Sequence, residues 1–367
     1  MAPLHLFFTA CSVVLGAQAL TVSSSAARRH AELAPRVTGC AINPTSTSVP
    51  TPCGTSDVAY DVPEKDLYDN IFCANGVDNI SNPILLVPGI GAGGDTYTNG
   101  YQKLLTNLGY DVCYVSPPRY MLDDEQDNAQ YVAYALNMIY SKTNAALPVL
   151  GYSGGNAAIQ WALTFWPSTR TSAKQFIALA GPFQGTIIGK VYEAGQLDTT
   201  TGSIRQLTTG SKFLAALKSK GGDYNWVPTT SIYSHTDDVL QPEPGPNDPS
   251  AVSFVGGSRT GNVFIQQFCP GLPVLHSGFP FLNFSYQVTS LALSSSAKFV
   301  DPKDVPALNI PCNLDGATGL STGDVAKVFA STVAAASRVA DTVLYGRLSE
   351  PDLKSYVASY PDNAVHD

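Results

Sequence analysis

The strongest constraint on the fold of this chain is a series of short apolar segments, most of them closed by Gly or Pro. They cover residues 84–87, 112–115, 148–152 and 176–180. Segments of this length without polar alternation are typical of strands buried on both faces of a sheet. Between them, apolar residues recur at helical spacing over 124–142 and 156–165. Strands that alternate with helices predict an α/β fold, with a mostly parallel central sheet and helices on both faces.

The rest of the chain continues this pattern. Two further strands are predicted over 229–234 and 272–275, and a helix rich in Ala and Val over 324–339. Residues 38–82 are rich in Pro, Thr, Ser and Asn, which predicts an extended N-terminal segment. No repeat and no linker divides the chain. We therefore expect a single domain over residues 38–367, ending in a C-terminal tail.

The first 19 residues contain no Asp, Glu, Lys or Arg, and their apolar stretch ends in Ala17-Gln18-Ala19. This pattern predicts a signal peptide over 1–19, too short for the roughly 20 apolar residues that cross a bilayer. Residues 20–37 are a candidate propeptide, because Arg28-Arg29 is either a dibasic cleavage site or a pair of solvated arginines. No later segment has the length and apolarity of a membrane helix. We expect a secreted, soluble monomer.

The cysteine count agrees with export. Of the seven cysteines, Cys11 lies in the predicted signal peptide. The six that remain are Cys40, Cys53, Cys73, Cys113, Cys269 and Cys312. An even number suits disulfide bonds in an oxidising compartment, although the residues alone leave the pairing open.

Composition narrows the range of partners. Charged residues make up 14% of the chain and the net charge is −8, so the basic face that nucleic acid requires is missing. With five histidines and no C-x-x-C pair, the chain has little material for a zinc site, and we expect no metal. Asn79 and Asn283 each begin an N-x-S sequon and are predicted glycosylation sites.

The sequence G-I-G-A-G-G at 89–94 follows a predicted strand and allows two interpretations. A dinucleotide-binding loop would require an acid after the next strand, where the chain instead reads S-P-P-R at 116–119. A nicotinamide cofactor also fits poorly with export. The loop of a serine hydrolase that supplies amide donors to an oxyanion fits better. The amides of Ile90 and Gly91 are candidates, and that of Gly154 is a second donor.

Ser153 stands in the sequence G-Y-S-G-G, between a predicted strand and a predicted helix. In a chain with 31 glycines the pentapeptide alone is weak evidence, but this context is that of a nucleophile elbow. The serine needs a base and an acid, which follow it in the order acid, then histidine. His276 fits that order, whereas His235 comes too early. Asp237 and Asp238 both follow a predicted strand, and spacing does not separate them.

Several stretches resemble the Candida antarctica lipase B-like family of fungal lipases. They lie at 83–89, 114–118, 147–150, 160–165, 227–230, 233–234, 236–237, 241–242 and 284–286. The resemblance spans roughly residues 70–340 and implies an α/β-hydrolase fold. It implies Ser153 as nucleophile, His276 as base and Asp237, rather than Asp238, as acid.

As a member of this family, the protein is expected to be a secreted serine hydrolase without a cofactor. It would cleave carboxylic esters, triacylglycerols among them, at a lipid–water interface and through an acyl-enzyme. The resemblance also implies the disulfides Cys73–Cys113 and Cys269–Cys312, with Cys40–Cys53 as the third. The helix over 324–339 resembles the one that forms a wall of the substrate pockets.

The chain departs from the family pattern around the oxyanion site. Ile90 stands where the family has Thr, so the expected donors are the backbone N–H groups of Ile90 and Gly154. Gly151, Tyr152 and Gly154 replace Thr, Trp and Gln, and Tyr152 is expected to reshape the pocket below the nucleophile. The alternative is therefore a lipid-binding protein with this fold that is catalytically weak or inactive.

Overall fold

The computed structural model describes residues 56–187, 199–241 and 259–362. The predicted signal peptide, the candidate propeptide, Cys40 and Cys53 lie outside these residues. Within them, no helix is long and apolar enough to span a bilayer.

The strands of the described residues are β1 Ile71–Cys73, β2 Pro83–Val87, β3 Asp111–Val115, β4 Leu147–Tyr152, β5 Ala173–Leu179, β6 Thr200–Thr201, β7 Thr229–Tyr233, β8 Thr260–Phe264 and β9 Gly346–Arg347. Seven of them form one sheet in the order β1-β3-β2-β4-β5-β7-β8. Strand β1 is antiparallel to β3, and all the other neighbours are parallel. Strands β6 and β9 form a separate antiparallel pair.

Helices connect the strands and cover the sheet. They are α1 Glu64–Asp69, α2 Asp95–Thr98, α3 Tyr101–Asn107, α4 Glu125–Thr143, α5 Gly155–Phe165, α6 Thr169–Ser172, α7 Gly202–Gln206, α8 Lys212–Ser219, α9 Ile265–Phe268, α10 Asn283–Ser294, α11 Thr322–Ala340, α12 Thr342–Tyr345 and α13 Ser355–Ser359. Short 3₁₀ turns occupy His276–Gly278 and Pro302–Leu308, and Pro118–Met121 forms a turn in which Arg119, Tyr120 and Met121 have positive φ. The prediction of an α/β fold with a mostly parallel sheet is confirmed.

The alternation of side chains along β2 divides the core between the two faces of the sheet. Leu85 and Val87 pack in one cluster, together with residues of α4, α5 and the C-terminal helix α13. Ile84 and Leu86 pack in the other, with residues of α3 and α10. Because both faces are covered, the strand reads as a continuous apolar segment rather than an alternating one.

The prediction of a strand over 272–275 is wrong. These residues form a tight turn in which the Val274 amide donates to the Leu272 carbonyl, and Pro273 has no amide to give a ladder. The last strand in the order of the sheet is β8 instead, which the sequence did not predict. Its Gly261 and Asn262 interrupt the apolar segment that would have indicated a strand. The extended segment predicted over 38–82 also contains α1 and β1, which are six and three residues long.

Two disulfides hold the margins of the fold. Cys73–Cys113 joins residues that face each other across β1 and β3. Cys269–Cys312 ties the residue after α9 to the segment that leads to α11. Both pairs are the ones that the family resemblance implies.

The two bridges close loops of similar length, with sequence separations of 40 and 43 residues. Chain entropy then predicts that removing either one lowers the free energy of unfolding by about 4 kcal/mol. We expect Cys73→Ser/Cys113→Ser and Cys269→Ser/Cys312→Ser to show similar losses in urea unfolding at equilibrium. A loss below about 1 kcal/mol for one pair would contradict the prediction for that loop, and the other pair is its matched control.

Candidate active site

Ser153 lies between β4 and α5 with its backbone in the left-handed region, at φ +54°. This conformation is uncommon for a residue with a Cβ and persists only where neighbours enforce it. Glycines make the turn possible. A Cβ on Gly155 would collide with the Pro88 carbonyl, and one on Gly89 would lie 2.7 Å from the Ser153 Cβ. The turn lifts the serine out of the sheet and leaves its side chain half-buried.

Asn156 fixes this turn from behind and was not identified from the sequence. Its side-chain amide donates to the carbonyls of Ser153 and Leu179, at 2.9 Å each. The Ser153 amide donates to the same Leu179 carbonyl, also at 2.9 Å. Asn156 is the second residue of α5, and the sequence carries no signal that would single it out there.

The structure brings Ser153, His276 and Asp237 together from distant parts of the chain. The Nε2 atom of His276 lies 2.8 Å from the Ser153 Oγ, and its Nδ1 lies 2.8 Å from an Asp237 oxygen. Asp237 follows β7, and His276 begins a 3₁₀ turn. With Nδ1 protonated, the imidazole donates to the carboxylate and can accept the proton of the serine hydroxyl.

The two adjacent acids have different contacts. Asp237 is 2% exposed, and its second oxygen accepts from the amides of Val239 and Leu240 at 2.9 and 2.8 Å. Asp238 accepts from the backbone amide of His276 at 3.0 Å. Asp237 therefore contacts the imidazole ring, whereas Asp238 holds the main chain of the same residue.

Tyr152 supports His276 from below. Its ring stacks on the imidazole at a centroid distance of 5.1 Å, and its hydroxyl donates to the His276 carbonyl at 3.0 Å. Tyr152 is 5% exposed and packs in the core on the same face of the sheet as Leu150 and Leu179, so its ring is held in place beside His276. The contact was not foreseen, since the sequence does not show which ring lies beside the histidine.

Opposing effects act on the titration of His276. Burial lowers the pKa of the imidazole, whereas the charge of Asp237, its hydrogen bond and the charge of Asp238 raise it. The net result is a pKa above the ordinary value for histidine. The site therefore favours the imidazolium that forms when His276 takes a proton from a neighbouring hydroxyl.

The glycine loop after β2 passes directly over the serine. The Gly91 amide donates to the Tyr120 carbonyl at 2.8 Å, so it is not free for a ligand. Among the described residues, the amides of Ile90 and Gly154 have no hydrogen-bond partner. Gly154 is also the N-cap of α5, where the helix dipole favours negative charge. They are two of the three candidate amides named from the sequence, and the third, that of Gly91, is taken by Tyr120.

The remaining sequence candidates lie apart from this cluster. His235 is exposed, and its ring meets the Phe264 ring at an angle of 63°. The described residues contain no group of three or more His, Cys, Asp or Glu that could hold a metal ion. Gly94 of the glycine-rich loop serves packing, because a Cβ there would collide with the Tyr114 ring.

The two sequons differ in their surroundings. Asn79 is exposed in a turn before β2. Asn283 is half-buried at the start of α10, its side-chain oxygen accepts from the Thr318 amide, and Ser285 of the sequon is fully buried. Glycosylation stays a prediction at both positions, and accessibility favours Asn79.

The chain is similar to fungal lipases, although no protein-family model matches it. It is 35% identical to lipase B of Pseudozyma antarctica over 309 residues, which are 83% of this chain and 88% of that protein. Its fold is similar to the crystal structure of Aspergillus fumigatus lipase B, with a TM-score of 0.74 and 28% identity over 87% of this chain and 77% of that one.

The Asp238 contact leads to a prediction about His276. Asp238→Asn keeps an acceptor oxygen for the His276 amide but removes a charge that raises the pKa of the ring. We expect the pKa of His276, measured by NMR titration of the imidazole, to fall. Asp352→Asn, at a side chain 97% exposed in the C-terminal segment, is the control and should leave it unchanged. An unchanged pKa in Asp238→Asn would contradict the electrostatic role of Asp238.

Proposed function

Because this chain belongs to the fungal lipase B family and is a carboxylic ester hydrolase, we propose that Ser153, His276 and Asp237 form its catalytic triad. The observation that carries the proposal is the unbroken chain of contacts from the Ser153 hydroxyl through His276 to the Asp237 carboxylate, with 2.8 Å at each step. That order and geometry are what nucleophilic catalysis by a serine requires.

In the first half of the reaction, the Ser153 Oγ attacks the ester carbonyl carbon while His276 Nε2 takes its proton. The tetrahedral intermediate then collapses, the bond to the leaving alkoxide breaks, and the imidazolium returns the proton to that oxygen. In the second half, water attacks the acyl-enzyme with His276 again as base. The bond to Oγ breaks and the proton goes back to Ser153, which releases the carboxylic acid.

Asp237 acts on the imidazolium in both halves. Its buried carboxylate is held by two backbone amides, so its remaining oxygen stays directed at the ring nitrogen. Tyr152 and Asp238 fix the main chain of the same histidine. The base is therefore held in one orientation when the proton moves.

The negative charge of the intermediate would be bound by the amides of Ile90 and Gly154. Both lie beside the serine, and the dipole of the 11-residue helix α5 adds favourable potential at Gly154. Ile90 has no hydroxyl, so its side chain gives no third donor. The rate that this site supports depends on how accurately its two amides are held.

The substrate class follows from the side chains around these amides. Ile90 and Leu207 flank Gly154, and Val339 of α11 lies against Gly91. Leu275, next to the base, is 37% exposed. We infer that the substrates are esters with an apolar acyl chain, triacylglycerols among them.

Secretion belongs to the same proposal, and the two disulfides support it because such bonds persist in oxidising compartments.

Covalent labelling tests the nucleophile. A fluorophosphonate should add to Ser153, identified by mass spectrometry of the digested protein. Ser153→Ala should abolish the label and lower hydrolysis of short p-nitrophenyl esters at least about 10³-fold. Ser294→Ala, an exposed serine at the end of α10, is the matched control. An unlabelled wild-type protein without esterase activity would instead support the lipid-binding alternative.

The close contact of Gly154 with Ile90 gives a second test. A Cβ on Gly154 would lie 2.5 Å from Ile90 Cγ1, so Gly154→Ala should displace the oxyanion loop and lower kcat about 10²-fold. Ile90→Ala keeps its amide and removes the obstructing atoms. We expect the double variant to recover most of the loss, with a coupling energy of about 2 kcal/mol in the kinetic double-mutant cycle.

The matched control for this cycle is Gly323→Ala, where the nearest atom to an added Cβ is 3.6 Å away. It should leave kcat unchanged. Additive effects of Gly154→Ala and Ile90→Ala would contradict a shared contact between the two positions.

A further inference from the structure

A run of strained backbone lies beside the oxyanion loop. Arg119, Tyr120 and Met121 have φ values of 55°, 57° and 62°, so three consecutive residues with side chains occupy the left-handed region. Each of them costs free energy relative to an ordinary turn. Such strain is retained where surrounding contacts impose it, often at functional sites.

This strained turn holds the loop through one peptide group. The carbonyl of Tyr120 accepts the Gly91 amide at 2.8 Å. Within the loop, the Ala92 amide donates to the Gly89 carbonyl at 3.0 Å, and Gly91 has φ +75°. This is the pattern of a type II turn, which requires positive φ at its third residue. In such a turn the amide of the second residue, Ile90, takes no part in the closing hydrogen bond.

Arg338 of helix α11 contacts both Gly91 and Tyr120. Its Nη1 donates to the Gly91 carbonyl at 2.8 Å, and its guanidinium lies 3.9 Å from the centroid of the Tyr120 ring. A planar guanidinium can donate in its plane while its face stacks on an aromatic ring, which an ammonium group cannot do. Helix α11 lies close enough that a Cβ on Gly91 would collide with the Ala335 carbonyl.

We propose that Arg338 is a positioning residue of the oxyanion hole. Together with the Tyr120 carbonyl, it fixes the N–H and the C=O of Gly91 and so holds the turn that directs the Ile90 amide at the oxyanion. The proposal rests on the proposed function, because it assigns a purpose to the Ile90 amide in ester hydrolysis. Helix α11 then has a second role beside that of a wall of the site, because its Arg338 orients the loop that carries the Ile90 amide.

The test compares Arg338→Gln with the wild-type protein in two measurements. For a short p-nitrophenyl ester, kcat should fall about 10- to 100-fold while KM stays within about two-fold, since a misdirected donor weakens transition-state binding more than substrate binding. The Gly91 amide should exchange faster with deuterium, because its partner turn is no longer clamped. Arg338→Lys should recover little of kcat, since it keeps the charge but cannot stack and donate together.

Two matched controls separate this role from general stabilisation. Arg205→Gln removes a half-buried arginine that likewise donates to a backbone carbonyl, that of Arg347, and should leave kcat and the Gly91 amide unchanged. Tyr120→Phe keeps the ring face and should behave as wild type. Tyr120→Leu removes the face and should lower kcat in the same direction as Arg338→Gln.

The outcomes distinguish the two proposals. An active wild-type protein with unchanged kcat in Arg338→Gln would overturn the positioning role alone. A fall in kcat without faster exchange at Gly91, or an equal fall in Arg205→Gln, would also overturn it. A wild-type protein that is neither labelled by a fluorophosphonate nor active on esters would overturn the proposed function and this inference with it.

Discussion

The left-handed backbone of Ser153 is the constraint on which the rest of the site depends. A residue with a Cβ in this region costs about 1 kcal/mol or more, so its neighbours must hold it there. Parallel strands supply that restraint, because β4 lies between β2 and β5 with all carboxyl ends at one edge. Strand β5 gives the Leu179 carbonyl to the Ser153 amide, and β2 leads into the loop over the serine. Gly89 and Gly155 are needed there because the segments meet without room for a Cβ.

His276 is held in a different way, since it belongs to no strand. The Tyr152 hydroxyl donates to its carbonyl, and the Asp238 carboxylate accepts from its backbone amide. The Asp237 carboxylate lies within hydrogen-bond distance of its Nδ1. The same acids that fix its position also raise the pKa of the ring against the effect of burial. These hydrogen bonds restrain His276, a loop residue, as a sheet would restrain a strand residue. Asp237 and Asp238 therefore determine both the position of the imidazole and its pKa.

The sequence predicted those features that are determined by neighbouring residues or by their order along the chain. Continuous apolar segments identified the central strands, and the order of Ser153, an acid and His276 indicated which side chains would meet. Edge strand β8 was missed, because a strand with Gly261 and Asn262 lacks the apolar signal of a doubly covered one. Contacts of polar side chains with distant main chain, such as that of Asn156 with the Leu179 carbonyl, depend on the packed fold and leave no periodic pattern.

The departures at Ile90 and Gly154 are explained by the way the loop is supported. The family pattern has side chains with polar groups at both positions, whereas here an aliphatic side chain occupies the space above a bare glycine. Support for the oxyanion loop must then come from outside the elbow. The loop contacts on its far side are the Tyr120 carbonyl and the Arg338 guanidinium, and both hold Gly91 rather than the reacting atoms. In the oxyanion site that we propose, a loop without polar side chains depends on a clamp of its backbone to keep the amides directed, and the strained turn at Arg119–Met121 provides the carbonyl for that clamp.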